Sequence, residues 1–216
     1  CAKASGPYVM AHKVLLVSPS ATGIEVSEWE SADWIFRTAA RDDLQGQVLA
    51  DIIIEGNYTR FAYIVQMTTY GIGLGEATVN ALEEAGWEGE VVAKVQYDPA
   101  TLDYRTELQQ IAASNPDVVL AVTYTEDGSI LFKQASHIEG LDEIAWLGCD
   151  GNYGEGIFED PECAAFMEKA IVAGTITSGP VPEEYPPYAE FLDAYENYTG
   201  LGSQPYTDTT YDAVML

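Results

Sequence analysis

Four short stretches carry the side chains best suited to chemistry: SPSAT at 18–22, MTTYG at 67–71, TYTEDG at 123–128 and CDGNYG at 149–154. Each follows an apolar run, at a point where a plain connection needs no such residues. A carboxylate meeting the Thr22 hydroxyl and the amides around Ser20 and Ala21 would gain charge-assisted hydrogen bonds worth about 1.5–3 kcal/mol each. Asp150 would balance an ammonium, and Tyr70, Tyr124 and Tyr153 would supply flat walls with a polar tip. Together these groups suit reversible capture of a small zwitterion. Each also has a plainer reading. SPSAT makes a Ser-Pro turn, Asp150 caps its loop by bonding amides near Asn152 to Gly154, and each tyrosine is one ordinary aromatic among 14.

Catalytic signatures are missing. No GxSxG, P-loop or HExxH pattern occurs, and no nucleophile stands beside a base. GIGLGEA at 71–77 follows an apolar run, but Glu76 stands where a dinucleotide fingerprint needs its third glycine. His12 and His137 have no ligand-type neighbours at helical spacing. No metal and no cofactor is expected.

The elements that must position these residues alternate along the chain. Strand-like runs are VLLV (14–17), WIFR (34–37), FAYIV (61–65), EVVAKVQY (90–97), DVVLAVTY (117–124) and IAWLG (144–148). Helical patterns fall between them, at DDLQGQVLADIIIEG and at about 74–85, 103–115, 127–139 and 162–169. VLLV has the look of a central strand. QMTTYGIG reads as a loop, 171–188 as a strand with a Pro-rich stretch, and 186–198 as a helix. This order predicts an α/β fold with parallel sheet and helices on both faces, whose strand ends share one edge.

Lys and Arg total 9 against 35 Asp and Glu, a formal net charge of -26. Such a surface repels phosphate backbones and anionic lipid, so no nucleic-acid partner is expected. Dense carboxylates are tolerated best where salt screens them, which fits a salt-loving or surface-exposed source as well as an ordinary acidic protein. No run reaches the length of a membrane span. The first residue is Cys1, not Met, and an upstream segment is expected. Asn57-Tyr58-Thr59 and Asn197-Tyr198-Thr199 fit the glycosylation sequon, a hint of export. In an exported protein Cys149 and Cys163 are expected to pair across a Gly-rich loop, with Cys1 left over; closing about 15 residues is worth about 3 kcal/mol. Buried free thiols are the alternative.

SPSAT, FRTAARDDLQGQVLAD, the YG of MTTYG, YDPATLDYRTELQQI, NPDVVLAVTYTEDG and WLGCDG occur in an order and spacing that resembles the branched-chain (Leu/Ile/Val) amino-acid-binding type of substrate-binding protein serving ABC importers. The resemblance covers almost the whole chain. It implies a type I periplasmic binding protein fold, two doubly wound parallel-sheet lobes with hinge crossovers that close on a ligand, here with an incomplete first lobe. Residues 1–37 and 179–216 would form that first lobe and 38–178 the second, with hinges near Arg37 to Ala40 and Ile176 to Val181. By position, Ser20 and Thr22 would contact a ligand carboxylate and ammonium, Tyr70 and Tyr124 would be walls, Asp150 the ammonium's partner and Tyr206 a pocket aromatic. One departure is Ala2, where amino-acid binders often have Ser after the first-lobe Cys, before a longer helix. The implied partners are a small solute, an amino acid or related amide or carboxylate, and an ABC transporter permease. Membrane contact would come only through a lipid anchor on a preceding segment. The implied location is extracellular, periplasmic or cell-surface, and the implied role is not enzymatic. Two other readings share the fold: a ligand-sensing domain of a receptor or regulator, and an α/β enzyme using the same crevice.

Overall fold

The computed structural model describes residues 2–29, 32–176, 185–204 and 206–216. The chain runs α1 (Ala2–His12), β1 (Leu16–Ser18), β2 (Ile35–Arg37), α2 (Asp42–Glu55), β3 (Arg60–Gln66), α3 (Thr69–Glu84), β4 (Glu90–Tyr97) and α4 (Arg105–Ser114). It continues through β5 (Val118–Val122), α5 (Thr125–Ala135), β6 (Ala145–Gly148), α6 (Pro161–Ala170), β7 (Ile171–Gly174), α7 (Pro186–Thr199) and α8 (Thr207–Met215). It divides into two units, Cys1–Arg41 with Thr177–Leu216, and Asp42–Ile176. The first hinge expected from the resemblance, near Arg37 to Ala40, lies just before that boundary. Beyond Ile176 the second expected crossing lies outside the described residues, as does Cys1.

In the second unit five parallel strands stand in the order β4-β3-β5-β6-β7. All of β5 is buried, which is why its sequence is an unbroken apolar run and not an alternating one. Leu49 and Ile53 of α2 and Leu74 and Leu82 of α3 cover one face, over Phe61, Tyr63 and Val65. Leu108, Ile111, Leu131, Phe132 and Phe166 from α4, α5 and α6 cover the other, around Trp146. A Cβ on Gly46 would fall 2.7 Å from the carbonyl carbon of Ala77, so glycine there lets α2 and α3 meet closely.

The helix expected from about 74 starts at Thr69. Thr68 caps it, its hydroxyl accepting from the Gly71 amide at 3.1 Å. A Cβ on Gly71 would lie 2.2 Å from the Gln66 carbonyl oxygen. The glycine that reads as a loop signal instead lets the helix begin tight against the strand it leaves.

In the first unit β1 and β2 pair in parallel, Leu16 opposite Ile35 and Ser18 opposite Arg37. The strand expected at 14–17 begins two residues later, at Leu16, and Val14 and Leu15 are 49% and 59% exposed. A small core gathers Ala2 and Val9 of α1 with Val26 and Ile35. Phe191 of α7 meets Tyr211 of α8 with ring centroids 5.0 Å apart, and the Thr38 hydroxyl donates to the Thr209 carbonyl at 2.6 Å.

Candidate functional site

After β3 the chain turns through α3 to β4 on one side; after β5 it turns through α5 to β6 on the other. Segments leaving adjacent strands in opposite directions open a crevice at the carboxyl edge, the place where α/β sheets bind ligands. Tyr70, in the first turn of α3, and Tyr124, the N-cap of α5, flank that point. Their rings stack 5.4 Å apart at 13°.

Asp150 follows β6 and is buried beside them. Its Oδ1 accepts from the Tyr70 hydroxyl at 2.7 Å and from Gln45 Nε2 at 2.7 Å. The Gly151 amide donates to the same Tyr70 oxygen at 3.2 Å. A Cβ on Gly151 would lie 2.4 Å from the Thr123 carbonyl oxygen and 2.9 Å from that hydroxyl, so only glycine fits between β5's end and Tyr70. Burial first, and the neighbouring Cys149 and Asp150 next, hold the Tyr70 hydroxyl well above its ordinary pKa, keeping it a donor. Burial pushes the Cys149 thiol up to about 12, so it is not an activated nucleophile. The loop's own closure runs through Asn152, whose Oδ1 accepts from the Cys149 amide at 3.0 Å and whose Nδ2 donates to the Ala121 carbonyl at 3.0 Å. Tyr153 is 55% exposed on that loop.

A second polar pair holds Tyr124. Asp127 Oδ1 accepts from the Tyr124 amide at 3.1 Å, and the Tyr97 hydroxyl donates to Oδ2. Burial raises the Asp127 carboxyl above its ordinary pKa, and the Tyr97 hydroxyl and Tyr124 amide pull it back. Tyr97 in turn meets Tyr104 edge-on at 4.7 Å.

In the first unit, SPSAT is a turn with an outside tether. The Ala21 amide donates to Ser18 Oγ at 3.1 Å. Arg37 Nη1 donates to the carbonyls of Ala21, Thr22 and Gly23 at 2.8, 2.9 and 2.9 Å, and Nη2 to Ser27 Oγ at 2.6 Å. Ser20 is exposed and Thr22 buried. Tyr206, at a left-handed φ of 67°, precedes α8 in this unit. The structure thus brings Tyr70, Tyr124 and Asp150 together, with Tyr153 on the same loop as Asp150. Ser20, Ala21 and Thr22 share one loop of the other unit.

The sequence pattern does not mark Gln45, Tyr97 or Arg37 as site residues. Asp127 does carry a signal, three residues after Tyr124, the spacing at which an acid closes a capping box. The expected Cys149–Cys163 disulfide is absent: both thiols are buried and free. Cys149 packs on the α2/α3 face of the sheet and Cys163 on the α5/α6 face, near Met167. A short loop between two cysteines does not pair them when a sheet stands between their side chains.

A family model described as periplasmic binding protein matches residues 1–216. The chain belongs to that family. Leu/Ile/Val-binding protein homolog 1 of Brucella abortus is 27% identical over 205 residues, covering 93% of this chain and 51% of the relative. The crystal structure of leucine binding protein LivK from Thermotoga maritima superposes with a TM-score of 0.78 at 20% identity, covering 99% of this chain and 59% of LivK. LivJ of Streptococcus pneumoniae in complex with isoleucine gives 0.77 at 22% identity, covering 96% and 57%. The type I periplasmic binding protein fold implied by the resemblance is therefore this protein's fold. The chain spans about a third to a half of the length of the curated relatives it matches.

Proposed function

We propose that this periplasmic binding protein is the exported solute receptor of an ABC importer, that its solute is an amino acid, and that it performs no catalysis. One observation carries the reading. Asp150, a buried carboxylate, stands at the carboxyl edge of the sheet against the stacked Tyr70 and Tyr124, with neutral donors on Oδ1. A buried carboxylate favours a cationic partner over an anionic one, and an aromatic face beside it adds to the attraction. The net charge of -26 disfavours a simple anion further. The Brucella relative's name and the isoleucine in the pneumococcal structure support the same class of solute. Thr22 and the amides near Ser20 are the proposed carboxylate contacts. With Cys149 held as a thiol and Tyr70 as a phenol, the edge offers donors and walls but no activated nucleophile.

Calorimetry with L-leucine, L-isoleucine and 4-methylpentanoate, the leucine skeleton without its amine, tests the reading. Binding of an amino acid and not of the acid is expected. Asp150→Asn keeps the shape and removes the charge; truncating a buried charge pair typically costs about 2–5 kcal/mol, so amino-acid affinity should fall about 30-fold or more. Equal affinity in Asp150→Asn with the fold intact would remove the ammonium role, and binding of 4-methylpentanoate alone would make a carboxylic acid the solute.

A further inference from the structure

Gln45 stands in the first turn of α2, just inside the start of the second unit at Asp42, and Thr175 stands just before its end at Ile176. Between them lies Asp150. Gln45 Nε2 donates to Asp150 Oδ1 at 2.7 Å and to Thr175 Oγ1 at 2.9 Å, and the Thr175 carbonyl oxygen lies 3.4 Å away. All three residues are more than nine-tenths buried. We infer that Gln45 is a positioning residue that ties the Asp150 carboxylate, through itself and Thr175, to both places where the chain enters and leaves the second unit.

The amide can sit only one way round. Its two N–H bonds form a planar fork, one toward the carboxylate and one toward the threonine hydroxyl. Turned over, it would set Oε1 against Asp150. As it stands, Oε1 is buried and makes no hydrogen bond among the described residues. A buried acceptor left unmade is destabilising, and a methionine of similar size would avoid that. Packing alone therefore does not account for glutamine here, whereas a neutral donor for Asp150 does. Because the link is reciprocal, whatever changes the surroundings of Asp150 must also act on the segments around Gln45 and Thr175.

The experiment has one arm without ligand and one with it. Amide hydrogen exchange followed by mass spectrometry compares the parent with Gln45→Met and Thr175→Val. A hydrogen bond to a charged group corresponds to about tenfold, so exchange should rise about tenfold in the Asp150 loop, the first turn of α2 and the segment ending β7 in Gln45→Met, while the amides of β5 stay protected. Thr175→Val should raise it in the last segment. Unchanged exchange in the Asp150 loop of Gln45→Met would overturn the inference. If Gln45→Met does not fold, Gln45→Asn, whose amide is too short to reach both partners, replaces it with the same expected rise and the same overturning result. The binding arm rests on the proposed role of Asp150 and is a double-mutant cycle read with L-isoleucine. Gln45→Met should weaken binding about tenfold in the parent and less than about twofold in Asp150→Asn, because the two act as one unit. Equal weakening in both backgrounds would make Gln45 merely structural. Failure of the parent to bind any of the amino acids tested would sink the proposed solute class and leave the exchange result standing on its own.

Discussion

In the first unit the loop of residues 18–23 hangs on one cation, Arg37, which gathers three neutral carbonyls. In the second unit the signs are exchanged: carboxylates, Asp150 and Asp127, are met by neutral donors, Tyr70, Gln45, Tyr97 and the Tyr124 amide. The scaffolds differ in the same way. Among the described residues the cation sits half-buried on a two-stranded sheet, and the carboxylates stand beside a five-stranded sheet covered on both faces. A double-covered sheet can hold a carboxylate away from water, because its core fixes donors around it. The second unit thus holds its carboxylates by neutral donors, and the first holds a loop by a cation.

The largest expected effect breaks the better scaffold. Trp146 is 0% exposed, packed edge-on against Phe132 and Phe166 at 5.9 and 5.5 Å, with its Nε1 donating to the Leu141 carbonyl at 2.8 Å. Trp146→Ala should cost about 3–5 kcal/mol in denaturant unfolding of the second unit, whereas Phe36→Ala, at an exposed position of β2 in the first, should stay within about 0.5 kcal/mol. Comparable losses would erase the contrast between the scaffolds. Next comes the cation. Arg37→Met keeps the stem and removes four hydrogen bonds from the loop. Bonds of this kind contribute about 1.5–3 kcal/mol, so proteolysis or exchange at residues 18–27 should accelerate about tenfold or more, with the second unit unchanged. A loop as protected as in the parent would show that Ser18 and the turn suffice.

Much of the second unit is legible because parallel strands covered on both faces leave continuous apolar runs; FAYIV lies within β3, and DVVLAVTY and IAWLG hold β5 and β6, with Tyr124 beyond the strand as the cap of α5. VLLV reads the same way and is different: Val14 and Leu15 precede the strand, since a run of apolar residues does not say how many faces will be covered. Gly71 misleads about the start of α3 because a glycine needed for close approach looks like one needed for a loop. At the site, Asp150 and the two stacked tyrosines are legible as polar residues after strands. Gln45 is not, since its partners lie more than 100 positions away, at 150 and 175, and a glutamine in an amphipathic helix carries no mark of what it will meet.

A smaller effect than that of Trp146 or Arg37 sharpens the electrostatic half of the comparison. Burial raises the Asp127 carboxyl above its ordinary value of 3.8. The folded state then holds a proton that the unfolded chain has already released, so folding binds protons, and this group's contribution to stability falls as pH rises from 3.8 toward the raised value. The exposed pairs act in the opposite sense. Lys133 lowers Asp160 and Lys169 lowers Asp142, and their contribution is lost as pH falls below the ordinary carboxylate range. Asp127→Asn keeps the shape, with an oxygen for the Tyr124 amide and a nitrogen the Tyr97 hydroxyl can accept from. It should change stability at neutral pH by no more than about 1 kcal/mol, since a lost charge-assisted bond is offset by a charge no longer buried. Urea unfolding between pH 3.5 and 7 should show the falling component in the parent and not in the variant, while the loss at acid pH persists in both. A variant whose stability follows the parent's at every pH would mean that Asp127 stays ionised in the folded protein as easily as in the unfolded chain. The second unit would then hold this carboxylate no farther from water than the unfolded chain does, and the contrast between the two units would lose its electrostatic half.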